Sequence, residues 1–215
     1  MAEITIHGIP GSPFVRSALL GLEEKGVSYR LAAMAMGEHK SEAHLQRNPF
    51  GRIPVLDHGA FRLYETQAIL RYVDAAFPGP ALQPKEVPAA ARMNQIAGIV
   101  DWYFFPQVSA TITWQRIIVP QFRGGTPDEA VIAAALPNAR ICVDELERLK
   151  GDNAFMAGGQ ISIADLMLAP HLAYFARTPE GAGMLKGKTL AAWLARMNER
   201  ASMQATEREK LLSAA

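Results

Sequence analysis

Three short segments in the first third of the chain carry residue types that could hold a small anionic or zwitterionic ligand. The first ends at Ser12, which follows the glycine- and proline-containing turn 8–11 and precedes a helical pattern. Helix starts carry unpaired N–H groups and a partial positive charge, so a hydroxyl placed there can donate a hydrogen bond to an anion. The same hydroxyl can instead cap the helix, and the local sequence favours capping.

The other two segments are Ile53-Pro54 and Glu65-Thr66. A proline at the start of a strand removes a backbone donor. One explanation is a cis bond that turns the preceding backbone towards an extended peptide ligand, and the other is an edge strand with a trans proline. At Thr66 a helix begins, whose amides and hydroxyl could bind a carboxylate while Glu65 holds an ammonium group. The alternative at this place is a capped helix without a ligand.

Composition excludes several other kinds of chemistry. The 22 basic and 21 acidic residues give a net charge of +1, which predicts neither a nucleic-acid-binding nor a membrane-binding surface. The five histidines lack the spacing of a metal site, so we expect no metal. No signal-peptide pattern and no membrane-length apolar run is visible, so we expect a cytoplasmic protein. The single cysteine, Cys142, lies on an apolar helical stripe and is interpreted as an inert core thiol.

The elements that must position these residues form a small mixed domain at the start of the chain. Alternating apolar residues predict strands at 4–6 and 27–31, with a helix from Phe14 to Leu22 between them. This order implies a parallel pair of strands. A hairpin follows at 53–63, and then a helix that includes residues 68–76. The predicted domain covers residues 1–77.

The rest of the 215-residue chain predicts an all-helical second domain. Prolines and glycine make residues 78–88 a linker, and the second domain is residues 89–215. Ser162-Ile163-Ala164-Asp165 matches a capping box, which favours a structural over a catalytic role for Asp165. Three apolar stripes at helical spacing follow one another: Met93, Ile96, Ala97, Val100 and Phe104; Ala135, Ala139, Cys142, Leu146 and Leu149; Leu190, Trp193, Leu194, Met197 and Ala201.

The order of these motifs resembles cytosolic glutathione transferases, in particular the plant-type phi class and its bacterial relatives. The stretches Gly37–Lys40, Asn48–Pro54 and Tyr64–Thr66 carry the resemblance, together with the capping box. It implies an α/β thioredoxin-like N-terminal domain of βαβ-ββα order, followed by an all-α C-terminal domain. It also implies glutathione as co-substrate, conjugated to an apolar electrophile, and a homodimer. Serine rather than cysteine at position 12 favours conjugation over thiol exchange.

The resemblance also implies a role for each matching residue. Ser12 would donate a hydrogen bond to the glutathione sulfur. His39 and Lys40 would meet the glycine carboxylate, and Ile53, ahead of a cis Pro54, would pair by its backbone with the cysteinyl unit. Glu65 and Thr66 would hold the γ-glutamyl end. Arg52 stands where phi enzymes commonly carry glutamine, and it is counted with the glutathione-binding residues.

The pocket for the electrophile is predicted between the two domains. Its candidate residues are Phe14, Phe104, Phe105, Trp114 and Arg116. Arg116 could steer an acidic acceptor, whereas packing between the domains is the alternative role for this group. Two other functions stay open: a glutathione-dependent isomerase or peroxidase, and a non-catalytic protein that binds glutathione or another ligand.

Overall fold

The structure of the protein is a computed structural model that describes residues 3–213. Residues 1, 2, 214 and 215, which the sequence assigns to the two predicted domains, lie outside the described residues. The chain forms two compact units. The first comprises the residues up to Gln83 together with those from Glu199 onward, and the second comprises Pro84–Asn198. The predicted domain limits of 1–77 and 89–215, with a linker at 78–88, stay a prediction.

The first unit contains a mixed sheet whose strands follow the order β2-β1-β3-β4. The strands are β1 (Ile4–Gly8), β2 (Arg30–Ala33), β3 (Val55–His58) and β4 (Phe61–Tyr64). β1 runs parallel to β2 and antiparallel to β3, and β3 and β4 form an antiparallel hairpin. The predicted βαβ-ββα order is therefore confirmed.

The second strand begins three residues later than the alternating pattern predicts. The amide of Val27 still donates to the Leu22 carbonyl at the end of the first helix, so pairing with β1 begins only at Arg30. Val27 and Tyr29 nevertheless pack against the core. Their alternation therefore reports burial rather than strand pairing.

Two helices cover one face of this sheet: α1 (Pro13–Glu24) and α3 (Thr66–Ala76). Their apolar faces meet the inward-facing side chains of β1 and β3 in one core. That core includes Ile4, Ile6, Val15, Leu19, Leu22, Leu56, Ile69 and Val73. Gly21 lets the two helices approach closely, because a Cβ at this position would lie 2.6 Å from Leu70 Cδ2.

Four short helices complete the first unit. They are a 3₁₀ helix (Glu38–Lys40), α2 (Glu42–Leu45), α9 (Ala201–Ala205) and α10 (Arg208–Ser213). The last two return to α1, where Arg200 forms an ion pair with Glu24. Ala201 was predicted to extend the buried stripe of the preceding helix, which is wrong. That helix ends at Asn198, and Ala201 is exposed at the start of α9.

The second unit is helical, as predicted. Its elements are α4 (Val87–Ile99), a π-helical segment (Val100–Arg123), α5 (Glu129–Lys150), α6 (Ile163–Phe175), α7 (Pro179–Leu185) and α8 (Thr189–Asn198). The π-helical segment contains Pro106 and Pro120, which lack the N–H of a regular α-helical ladder. Between residues 3 and 213, no helix is long and apolar enough to cross a membrane.

The capping box at the start of α6 is confirmed and explains Asp165. Its buried carboxylate accepts hydrogen bonds from Ser162, from the Met156 amide and from the Trp193 indole. Burial outweighs these hydrogen bonds and raises the pKa of Asp165. The residue therefore ties α6 and α8 together. Cys142 is buried, and burial raises the pKa of its thiol, which supports its interpretation as a core residue.

Candidate functional site

The segments that carry the predicted glutathione-binding residues leave the sheet of the first unit at one edge. His7, near the end of β1, pairs with Val55 at the start of β3, and Val55 in turn pairs with Tyr64 at the end of β4. Gly8 pairs with Ala33 at the end of β2. The segment that precedes β3 and the segments that follow β1, β2 and β4 therefore meet at this edge of the sheet, which we call the site edge.

Ser12 occupies the N-cap position of α1 at the site edge. Its backbone has φ −59° and ψ 129°, and its carbonyl accepts the first helical hydrogen bond, from Arg16. Within residues 3–213, its hydroxyl makes no capping hydrogen bond, so the capping role that the local sequence favours is wrong. Pro13 presets the helical φ angle, and the backbone starts the helix without the serine side chain.

Close packing brings the start of α1 against the end of β1. A Cβ on Gly8 would lie 2.4 Å from Val15 Cγ2, so only glycine permits this approach. Ser12 is half-buried, and its amide is fixed by a 3.0 Å hydrogen bond to the Ile9 carbonyl. The hydroxyl is therefore attached to a rigid turn with the positive end of the helix behind it.

The 3₁₀ helix that carries His39 and Lys40 packs on the loop that leads to β3. A Cβ on Gly51 would lie 3.1 Å from Lys40 Nζ and 3.2 Å from the His39 carbonyl oxygen. The φ angle of Gly51, 56°, also favours glycine. Burial, followed by the nearby positive charges of Lys40 and Arg52, lowers the pKa of His39. His39 is therefore predominantly neutral at pH 7 and stands in a cationic surrounding.

The Ile53–Pro54 peptide bond is cis, as the resemblance implied. The peptide unit before it is held by two buried side chains, because His44 Nε2 and Asn48 Nδ2 both donate to the Arg52 carbonyl oxygen, at 2.8 and 3.0 Å. The side chain of Arg52 is exposed. Neither His44 nor Asn48 was among the predicted site residues, because no spacing in the sequence shows which carbonyl a buried amide or imidazole meets.

Glu65 has an unusual backbone at the start of α3. With φ 71° and ψ 113°, it is the one non-glycine residue with positive φ in the described part of the chain. Such a conformation is costly, and residues that keep it concentrate at ligand sites. Across residues 3–213, its exposed side chain makes no capping hydrogen bond, so the capped-helix alternative is wrong for Glu65. Thr66 is buried at the first position of α3.

The residues predicted to line the electrophile pocket have different surroundings. Phe14 is half-buried in the first unit. In the second unit, Phe104 is fully buried and its ring meets that of Phe175, so its role is core packing. Phe105 lies 6.0 Å from the ring of His171, and the guanidinium of Arg123 lies 5.9 Å from the ring of Trp114.

Arg116, which the sequence offered as a charge that could steer an acidic acceptor, is paired with acidic side chains of the second unit. Its guanidinium is bonded to the carboxylates of Glu129 and Glu180, with N···O distances of 2.6 Å to each. The two acidic groups more than balance its charge. The sequence could not reveal this network, because its members are far apart along the chain. Arg116 therefore links the π-helical segment to α5 and α7.

Comparison with known proteins gives a consistent result for both units. The family model described as "Glutathione S-transferase, N-terminal domain" matches residues 6–81, and the one described as "Glutathione S-transferase, C-terminal domain" matches residues 129–196. The chain is 31% identical over 170 residues to glutathione S-transferase 4 of Zea mays, covering 76% of this chain and 73% of that protein. It is 26% identical over 206 residues to glutathione S-transferase F6 of Arabidopsis thaliana, covering 95% and 99% of the two chains.

A solved structure is similar along nearly the same length. The structure of a glutathione S-transferase I bound with lactoylglutathione superposes with a TM-score of 0.83 at 27% identity. The match covers 95% of this chain and 98% of that chain. The resemblance and the fold class predicted from the sequence are both confirmed by these comparisons.

Proposed function

The chain belongs to the glutathione S-transferase family, and from this premise we propose that it is a serine-type transferase that activates glutathione at the site edge. The thiolate of bound glutathione would attack an electrophilic carbon of an apolar small molecule. One observation carries this proposal: the hydroxyl of Ser12, at the N-terminus of α1, is not used to cap the helix. It is the donor that a thiolate at this place would need.

The available interactions are strong enough for the proposed activation. A cysteine thiol has a pKa of about 8.5, and lowering it by two units requires about 2.7 kcal/mol. A hydrogen bond to a charged group contributes about 1.5–3 kcal/mol. The N-terminus of a helix contributes roughly 0.3–1 kcal/mol more. A serine hydroxyl and the start of α1 therefore suffice, and a general base is not required.

The rest of the site edge would hold the glutathione backbone. Glutathione has a carboxylate at its glycine end and an ammonium and a carboxylate at its γ-glutamyl end. His39 and Lys40 offer donors to the first carboxylate. Glu65 offers a carboxylate to the ammonium, and the hydroxyl of Thr66 and the first amides of α3 offer donors to the second carboxylate. Ile53 would pair by its backbone with the cysteinyl unit between them.

In the proposed reaction, the thiol proton leaves to solvent when glutathione binds, and the Ser12 hydroxyl donates a hydrogen bond to the sulfur anion. The sulfur lone pair forms a bond to the electrophilic carbon. A leaving group departs with its electron pair, or, for an addition, a proton from solvent completes the product. We expect the protein to act as a homodimer in the cytoplasm.

Retention on immobilised glutathione, followed by turnover assays, tests this function. The protein should be retained, should elute with free glutathione and should conjugate glutathione to chlorodinitrobenzene or another aromatic electrophile. Retention without turnover on conjugation, isomerisation or peroxide substrates would instead indicate a ligand-binding protein. Failure of retention together with absence of turnover would contradict the proposal.

A further inference from the structure

A buried imidazole outside the predicted site lies against the backbone that would bind glutathione. His44 belongs to α2, is 0% exposed, and its Nε2 lies 2.8 Å from the Arg52 carbonyl oxygen. A carbonyl oxygen can only accept, so Nε2 carries the proton and donates. Its other ring nitrogen, Nδ1, is buried without a partner among the described residues.

The Arg52 carbonyl belongs to the same planar peptide unit as the Ile53 amide. A side chain that fixes the direction of this carbonyl therefore also fixes the direction of the Ile53 N–H. Two donors meet the oxygen, one from His44 and one from Asn48, and an oxygen with two lone pairs can accept both. The peptide unit next to Pro54 is thus held from two sides.

The two donors connect the loop that leads to β3 to different parts of the chain. Asn48 belongs to the loop itself, where its Oδ1 also accepts from the Phe50 amide at 3.1 Å. His44 instead connects the loop to α2, whose N-cap Ser41 accepts from the His44 amide. His44 therefore supplies the connection between the loop and a neighbouring helix, while Asn48 shapes the loop internally.

We propose that His44 is a positioning residue of the glutathione site, which donates from Nε2 to the Arg52 carbonyl oxygen and so sets the Arg52–Ile53 peptide unit for pairing with the cysteinyl backbone of glutathione. This inference rests on the proposed function for its ligand and on the structure for its geometry.

The test compares His44→Phe, which keeps a ring but removes the donor, with His44→Gln, whose amide nitrogen can stand near the position of Nε2. His44→Phe should weaken binding of S-methylglutathione roughly three- to tenfold, the effect of one hydrogen bond. The KM for glutathione should rise in the same proportion, while kcat at saturating glutathione and the KM for chlorodinitrobenzene stay essentially unchanged. His44→Gln should restore most of the affinity.

His58→Phe is the matched control. His58 lies at the other end of β3, and its replacement by phenylalanine removes a comparable 2.7 Å hydrogen bond with the Tyr72 hydroxyl. It should lower stability without changing glutathione affinity. Equal loss of affinity in the two phenylalanine variants, or unchanged affinity in a folded His44→Phe protein, would overturn the proposal.

Two readouts need no glutathione and so separate this inference from the proposed function. Nitrogen NMR of the parent protein should show a proton on Nε2 of His44, and a ring protonated at Nδ1 alone would overturn the inference even if no variant folds. Amide hydrogen exchange at 50–55 should be faster in His44→Phe than in the control. If the parent protein binds no glutathione, the proposed function fails, and these two measurements still decide whether His44 holds the loop.

Discussion

Single residues at the site edge keep hydrogen-bonding groups that the fold does not use. The hydroxyl of Ser12 does not cap α1, and Nδ1 of His39 is buried without a partner among residues 3–213. Glu65 keeps an unfavourable backbone conformation at the start of α3. Buried polar groups without a partner and local strain reduce stability unless a ligand relieves them, so the presence of His39 and Glu65 at one sheet edge supports a binding role.

His39 should make glutathione binding depend on pH. Burial, and then the charges of Lys40 and Arg52, lower its pKa in the free protein, and a bound carboxylate would raise it again. Binding then takes up a proton, so affinity for S-methylglutathione should increase as the pH falls from neutral through the ordinary histidine pKa of about 6.5. Calorimetric titration across this range measures the effect.

The His39→Gln variant should lose this pH dependence and bind with nearly constant affinity. Lys40→Gln is the matched control, because it removes a neighbouring donor that is not a histidine. It should weaken binding about equally at each pH. A pH profile for His39→Gln that parallels the parent protein would show that His39 does not meet the glycine carboxylate.

Side-chain types and their order predicted which segments meet at the site edge, but not the partners of each group. The resemblance pointed to Ser12, Pro54 and Glu65 because motif residues are local in sequence. The ion pairs of Arg116 and the contact of His44 with the Arg52 carbonyl depend on tertiary packing. The spacing of residues along the sequence does not predict such contacts. A serine before a helix is usually a cap, and only the structure separates Ser12 from that common case.

Among the secondary-structure elements, α1 is held by the C-terminal segment of the first unit, which contacts it at its last residue and one turn after its start. Its last residue, Glu24, accepts two hydrogen bonds from Arg200 and one from Ser202. Arg200 directly precedes α9, and Ser202 lies in its first turn. Burial alone would raise the pKa of Glu24, but these hydrogen bonds outweigh it and lower the pKa. One turn into α1, Arg16 donates to the Met203 carbonyl. The C-terminal segment thus stabilises the helix that carries Ser12.

A double-mutant cycle on Glu24 and Arg200 should measure this attachment. Because the pair is partly buried and bidentate, Arg200→Met should lower the free energy of unfolding by about 1–2 kcal/mol. Glu24→Gln should have a similar effect, and the double variant should lose clearly less than the two single losses together. Urea unfolding measures each value, and strictly additive losses would contradict the coupling.

The contact between α6 and the π-helical segment should make the second unit sensitive to acid. His171 is fully buried on α6, where Ser109 Oγ lies 2.9 Å from its Nδ1. Burial lowers its pKa to about 3. The unfolded chain therefore binds a proton more readily than the folded one, and stability falls as the pH drops below about 6.5, by roughly 1.4 kcal/mol per pH unit.

His171→Phe removes this group while keeping an apolar ring. Between pH 6.5 and 5, the parent protein should lose about 2 kcal/mol more unfolding free energy than the variant. Urea unfolding at both pH values measures this difference in unfolding free energy. The paired carboxylates elsewhere in the protein contribute equally to the acid-dependent loss in both proteins, so they cancel in the comparison. Equal acid losses in the parent protein and the variant would show that His171 is not the cause.

Periodicity predicted the helical elements well because burial selects one face of each helix. The three predicted stripes are buried apart from Ala201, where the chain begins a new helix. The start of β2 and the π-helical segment were not predicted. Both depend on which carbonyl a backbone amide meets, as with the bond from Val27 to Leu22, and the apolar pattern does not carry that information.

The assembled protein should be a dimer of two identical chains. Large apolar side chains are exposed on each unit, including Phe50 on the first, at 66%, and Trp102 on the second, at 78%. Exposed aromatic groups of this size favour burial between subunits. Sedimentation equilibrium should give twice the 23.4 kDa mass of one chain, and Phe50→Asp should shift the equilibrium towards the monomer. A parent protein that is monomeric at all concentrations would contradict this expectation.

We propose that the Ser12 hydroxyl stabilises the glutathione thiolate, and an ultraviolet titration of the thiolate in the bound state tests this role most directly. Ser12→Ala should raise the pKa of bound glutathione by about one to two units and lower turnover at neutral pH, because a hydrogen bond to a charged sulfur is lost. Ser17→Ala is the control, since it removes a serine of the same helix whose hydroxyl donates to the Pro13 carbonyl. A thiolate pKa in Ser12→Ala equal to that of the parent protein would show that the Ser12 hydroxyl does not stabilise the thiolate.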